Sequence, residues 1–162
     1  LRFGKRTGTK RRSQNPAPQI LNYTAGDGRS FWLLGLEGDR HWPGLLAAID
    51  RPDLASREGF VTARDRSLNA EQVISELDAH FATQPYAHWT ARFDEHDVWW
   101  APLNSIPEAI EDEQVVAAGS FVDMTPQPGE APYRAVNSPV DFSGYRPTYG
   151  PVPRLGEHTP DW

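Results

Sequence analysis

Cysteine is absent from the 162 residues. That excludes a disulfide framework, a thiolate nucleophile and any cysteine-ligated metal, and it fits a cytoplasmic protein. No apolar run approaches the roughly 20 residues that cross a bilayer. No basic start leads into an apolar stretch as in a signal peptide. A membrane is therefore not among the expected partners. Acidic residues are missing from the first 14 positions, where Arg2, Lys5, Arg6, Lys10, Arg11 and Arg12 carry +6. The net charge is −6, so the rest of the chain carries −12. An acidic body argues against non-specific nucleic-acid binding. The basic arm reads first as a solvated linker. It could otherwise bind an acidic partner or pack on other parts of a larger protein.

Several catalytic signatures are also missing. No GxSxG elbow is present, and "FSGYR" around Ser143 sits in no strand-turn-helix. "GKRTGTKRR" has glycines and lysines but no preceding strand, so it is not a phosphate loop. His41, His80, His88, His96 and His158 are scattered without HExxH spacing. They read as surface histidines, those at 80, 88 and 96 on the polar sides of helices, and no metal site is expected.

What is present reads as one small domain between unsupported ends. "QILNYT" (19–24) and "SFWLLGL" (30–36) are β-favouring runs, and Asp27-Gly28 between them is a strong hairpin signal. Both sets of alternating residues in the second run are mostly apolar, which predicts a strand covered on both faces. Trp42, Leu45, Leu46 and Ile49 recur at helical spacing, with Pro43 suited to a first turn. "SREGFVTARDRSLNA" (56–70) predicts a short helix and a loop anchored by Phe60. "NAEQVISELDAHFAT" (69–83) predicts a helix with Asn69 as N-cap, Gln72 completing a capping box, and Val73, Ile74, Leu77 and Phe81 on one face. "PYAHWTARFDEH" (85–96) predicts a second, antiparallel helix.

"DVWWAPLNS" (97–105) reads as an edge strand or extended segment, because of Pro102. Two short helical pieces follow (105–119), ending at Gly119, then a strand "SFVDM" (120–124). "YRAVNSPVDFSG" (133–144) makes one strand or two. The fold class is α+β, a small antiparallel sheet with packed helices. The expected organisation is a basic linker (1–18), a small α+β domain (19–125) and a proline-rich segment (126–162). The ends hold too few apolar residues to offset their ordering entropy alone.

Glu37 is the candidate site residue. It follows an apolar strand and precedes a helix, in "GLEGDRHW". It either caps that helix or is presented to a site formed with another domain or chain.

The order of motifs resembles the class III (CaiB/BaiF) CoA-transferase and acyl-CoA racemase family. The resemblance rests on Tyr23, Asp27-Gly28, Trp42-Pro43, the turn Arg51-Pro52-Asp53-Leu54, Phe60, "RSLNAEQV", Trp89, "APLNS", "EDEQVVAAGSFVDM" and the closing "VNSPVDFSGYRP…VPRLGEHTPDW". It covers about residues 15–162, and "LGEHT" after "FSG" is its most telling part. "DVWWAP" departs from the family's shorter run at that place.

The resemblance implies a C-terminal fragment of a longer enzyme, inactive alone. Its extended ends would belong with a missing Rossmann-like large domain, and the full-length protein would be an interlocked homodimer. The implied substrates are an acyl-CoA and a carboxylic acid acceptor. Coenzyme A enters as a thioester substrate, with no cofactor. The catalytic aspartate would lie in the missing N-terminal part. Glu37 matches the glutamate of a "GAIEP"-like racemase motif, and Gln14 and Asn15 fall where some transferases carry a glycine-rich flap. These three are the candidate substrate-binding residues. A racemase exchanging the proton α to the thioester remains open, as does a free-standing binding module with a basic arm.

Overall fold

The computed structural model describes residues 11–140, 143–145 and 147–157. Most of the basic arm, Phe142 of the "FSG" motif, and His158 with the end of the tail lie outside them. The chain divides into two compact units, residues 1–103 and 104–162.

In the first unit a hairpin forms where the Asp27-Gly28 signal places it. Strand β1 (Asn22–Thr24) pairs antiparallel with β2 (Ser30–Leu33), Tyr23 opposite Phe31. Gly28 adopts φ +84°, which the turn requires and a side chain disfavours. The Asp27 carboxylate accepts from the backbone N–H of Arg29 and of Tyr86, so the turn also satisfies a donor at the start of a later helix. Strand β3 (Trp100–Pro102) adds to the other side of β2 and completes a three-stranded antiparallel sheet, β1-β2-β3. Pro102 is tolerated there because β3 is an edge.

Four helices follow the hairpin: α1 (Gly38–Ala48), α2 (Ala63–Leu68), α3 (Ala70–Phe81) and α4 (Tyr86–Glu95). The core takes Leu21, Tyr23, Phe31 and Leu33 from the sheet segment. From the helices it takes Trp42, Leu45, Leu46, Val73, Ile74, Leu77, Phe81, Trp89 and Phe93. Phe60 and Leu54 anchor the irregular stretch between α1 and α2 at zero exposure. Burial also pushes the Tyr23 phenol well above its ordinary value, and its hydroxyl donates to the Pro18 carbonyl at 2.6 Å.

Four expectations are corrected. Strand β2 is covered on one face only: Phe31 and Leu33 are buried, while Trp32 remains 36% exposed. The buried hydrophobic residues of the helices all join the cluster that holds Phe31 and Leu33. Pro43 lies inside α1 rather than in its first turn, because the helix already starts at Gly38. Asn69 makes no side-chain cap: its amide turns back and donates to the Asp65 carbonyl of α2. The histidines are not uniformly on the surface. His80 is half-buried against the Ile49 carbonyl at 2.8 Å, and His96 is half-buried too.

A capping box forms instead at Thr62 and Asp65, which exchange side-chain and backbone bonds at the start of α2. The Thr62 hydroxyl holds the Asp65 carboxyl below the usual carboxylate range. Thr62→Ala is expected to lower the unfolding free energy by about 1 kcal/mol. Urea titration checks this, and an unmoved midpoint would mean that the box contributes nothing.

The end of the basic arm that is described is tied down. Arg12 donates to both oxygens of Asp78, at 2.6 and 2.8 Å, and to the Asn22 carbonyl, and its guanidinium lies 5.0 Å from the centre of the Tyr23 ring.

The second unit holds helices α5 (Ile106–Glu111) and α6 (Glu113–Ala117) and the antiparallel hairpin β4 (Phe121–Met124) with β5 (Tyr133–Val136). Ser105 and Glu108 make a second capping box. Gly119, at φ +64°, ends α6: its N–H bonds Val116, and that of Ser120 bonds Val115. This is the reciprocal pattern of a Schellman stop. None of the described residues of this unit is buried.

Candidate functional site

The loop from β2 to α1 carries Glu37. Its path is set by backbone pairing on both sides: Leu34 N–H donates to the Trp99 carbonyl and Gly35 N–H to the Gln19 carbonyl. Gly35 and Gly38 are there for space. A Cβ at Gly38 would stand 2.7 Å from Gln19 Nε2 and 2.8 Å from the Ala63 Cβ, inside contact distance.

Glu37 is the N-cap residue of α1 by position, yet its side chain accepts no backbone N–H. Its carboxylate is exposed and takes a hydrogen bond from Arg40 Nη1 at 2.9 Å. Its own N–H donates to His41 Nδ1 at 3.3 Å. In the neutral imidazole this places the proton on Nε2. The His41 ring lies against Trp99, centroids 4.7 Å apart. Glu37, Arg40, His41 and Trp99 thus form one surface: a carboxylate, a cation, an imidazole and a half-exposed indole.

Gln14 and Asn15 do not join that surface by any direct bond among the described residues. Gln14 is exposed and its N–H closes a turn on Arg11. The Asn15 side chain accepts from the Ala17 N–H at 3.0 Å, which orders the chain into Pro18 and Gln19. The link to Glu37 runs through Gln19 and a residue that the site reading overlooked, Arg66.

Arg66 has zero exposure. Its Nε donates to Gln19 Oε1 at 2.7 Å, Nη1 to the Phe60 and Val61 carbonyls, and Nη2 to the Gly38 carbonyl and Asp39 Oδ1. Its guanidinium stacks 4.5 Å from the centre of the Trp42 ring. Burial pushes its pKa below the ordinary arginine value, and the hydrogen bond to Asp39 opposes the shift.

Other carboxylates serve as ion-pair partners. Arg51 bonds both Asp53 and Glu76 and holds the two carboxyls below the usual range. Among the described residues no group of three histidine, aspartate or glutamate side chains is placed to hold a metal.

A family model described as CoA-transferase family III matches residues 2–159. The chain belongs to that family. Formyl-CoA:oxalate CoA-transferases from Escherichia coli O157:H7 and Shigella dysenteriae serotype 1 are each 26% identical to it over 167 residues. The match covers 88% of this chain and 40% of those proteins, so the chain spans two fifths of their length. A CaiB/BaiF family protein from Brucella suis superposes with a TM-score of 0.72 at 21% identity, covering 97% of this chain and 40% of that one. The Mycobacterium tuberculosis protein Rv3272 gives 0.65 at 16% identity, over 85% of this chain and 39% of that one. These two superpositions show the family III fold in the antiparallel sheets and packed helices. The Glu37 surface lies on the entry to α1, and Arg66 lies in α2, after Phe60.

Proposed function

We propose that this chain is the C-terminal portion of a CoA-transferase that moves CoA from an acyl-CoA to a carboxylic acid. The observation that carries the reading is the family III match over residues 2–159. That the chain spans 40% of formyl-CoA:oxalate CoA-transferases supports the partial status. In the reaction an aspartate carboxylate, outside this chain, attacks the thioester carbonyl and releases CoA thiolate. The thiolate attacks the aspartyl carbonyl of the mixed anhydride, giving an aspartyl-CoA thioester and the free acyl carboxylate. The acceptor carboxylate repeats the two steps in reverse and leaves as its CoA thioester. Coenzyme A is substrate throughout, and no further cofactor takes part.

In this reading the small domain contributes Glu37 to the acyl-CoA site, with Gln14 and Asn15 on the segment beside it. The basic linker (1–18) and the proline-rich segment (126–162) run to and from a Rossmann-like large domain. The full-length protein acts as a cytoplasmic homodimer. Racemisation is the second reading, favoured by the exposed Glu37 carboxylate at the position of the racemase-like motif.

The 162-residue chain alone is expected to transfer no CoA from formyl-CoA to oxalate, or between other acyl-CoA and acid pairs. Turnover by the rigorously purified chain would overturn this. The longer polypeptide decides between the readings: acceptor-dependent CoA transfer marks a transferase, and α-deuterium exchange without an acceptor marks a racemase.

A further inference from the structure

Arg66 is the largest fully buried side chain among the described residues, and the proposed reaction has no step for it. A buried guanidinium is costly, and an apolar side chain of similar volume is often as stabilising or more so. The carboxylate it bonds, Asp39, is 64% exposed, so the ion pair alone is a weak reason for the burial. The other bonds give a better one. They end on three separate stretches of the chain: the Gln19 side chain, the carbonyl of Gly38 at the first residue of α1, and the Phe60 and Val61 carbonyls. A planar fork of fixed donors can hold several such acceptors in one frame, which a lysine cannot.

Two of those stretches carry the candidate substrate residues. Gly38 directly follows Glu37, and Gln19 ends the segment that leaves Gln14 and Asn15. The turn 35–38 is clamped at both ends. At Gly35 the N–H sits on the Gln19 carbonyl, and at Gly38 the carbonyl sits on Arg66. The Gln19 side chain is itself held by Arg66. The missing Cβ at Gly38 lets the two stretches close up, and Trp42 backs the guanidinium from below.

We infer that Arg66 is a positioning residue, which locks turn 35–38 to segment 17–19 and thereby sets where the Glu37 carboxylate stands. The functional half of this rests on the reading of Glu37 as a substrate-facing group. The structural half does not.

The test has two arms. In the 162-residue chain, Arg66→Lys keeps the charge and loses the fork. Amide exchange at Gly35 and His41 is expected to speed up at least about tenfold more than at Val73 and Leu77 in α3. Equal acceleration at all four amides, or none, would overturn the inference. If Arg66→Lys does not fold, Gln19→Leu removes a single acceptor and is judged by the same ratio. In the longer polypeptide, the same variant is expected to lower kcat about tenfold or more with a smaller change in KM. A loosened turn with unchanged kcat would overturn the functional half. Absence of any CoA transfer by the unmutated polypeptide would sink the proposed reaction instead, and the exchange ratio would still decide the role of Arg66 in the fold.

Discussion

Phe81→Ala is expected to destabilise the first unit by about 3–5 kcal/mol. Phe81 has zero exposure and stands at the centre of the aromatic packing. Its ring lies 5.1 Å from that of Tyr23, 5.0 Å from Phe31, 5.3 Å from Trp89 and 6.0 Å from Phe93. These partners come from both paired strands and from α4, so one deletion loosens the sheet from two helices at once. The site has little freedom to collapse. Tyr23 is fixed by its bond to Pro18, and the Trp89 indole N–H donates to the Phe81 carbonyl at 2.8 Å. The surrounding rings cannot close the void without breaking those bonds, so most of the cavity cost should remain. Urea unfolding followed by tryptophan fluorescence reads the effect, since Trp89 lies against the deleted ring. A loss below about 1 kcal/mol would mean that the core repacks, and the account of a rigid aromatic centre would be wrong.

The parts of this fold that were legible in the sequence share a physical cause: each depends on local pattern alone. Asp27-Gly28 marks the hairpin because the turn needs φ > 0 at Gly28, whatever the rest of the chain does. The face of α3, Val73 to Phe81, repeats over about two turns of helix and is buried as its period requires. The illegible parts depend on tertiary partners. Arg64 and Arg66 stand two apart in α2, a helix of 6 residues, too short for a period to tell them apart. One is exposed and the other is the most deeply engaged side chain in the unit. What separates them is the acceptors that Arg66 reaches on Gln19, Gly38 and Asp39, which no local window contains. Asn69 reads as an N-cap, but α2 ends on the same residue and its carbonyls compete for the amide. Trp32 reads as covered because sequence shows that it is apolar, not on which side the helices pack.

The candidate site was legible to the same extent. Glu37 could be placed between a strand and a helix, and the structure puts it there. Its proximity to His41 follows from helical spacing, since positions four apart share a face. The contact of His41 with Trp99 does not, because the indole arrives from the residue just before the edge strand, more than 50 residues on. Among the described residues the hydrogen bonds of Gln14 and Asn15 stay within the local turn, so nothing near them in sequence could have tied them to Glu37.

Glu37→Gln in the longer polypeptide is expected to lower kcat/KM about a hundredfold, roughly 2.7 kcal/mol of transition-state stabilisation. The same change should leave the unfolding midpoint almost unmoved. The structure makes the two halves separable. The carboxylate caps nothing, so the 0.5–2 kcal/mol (approximately) that a lost cap would cost is not at stake. Its ion pair with Arg40 is exposed on both sides, and such pairs are worth about 0–1 kcal/mol. Glutamine keeps the shape and one carbonyl acceptor for Arg40, while the bond from the Glu37 N–H to His41 is a backbone bond and survives the substitution. A fall in kcat/KM without a fall in stability would therefore report the loss of the negative charge at the reacting group. The opposite result is equally informative. If the midpoint drops while turnover holds, the helix N-terminus is what Glu37 serves, through the favourable field of a carboxylate at that end, and its assignment to the acyl-CoA site is wrong.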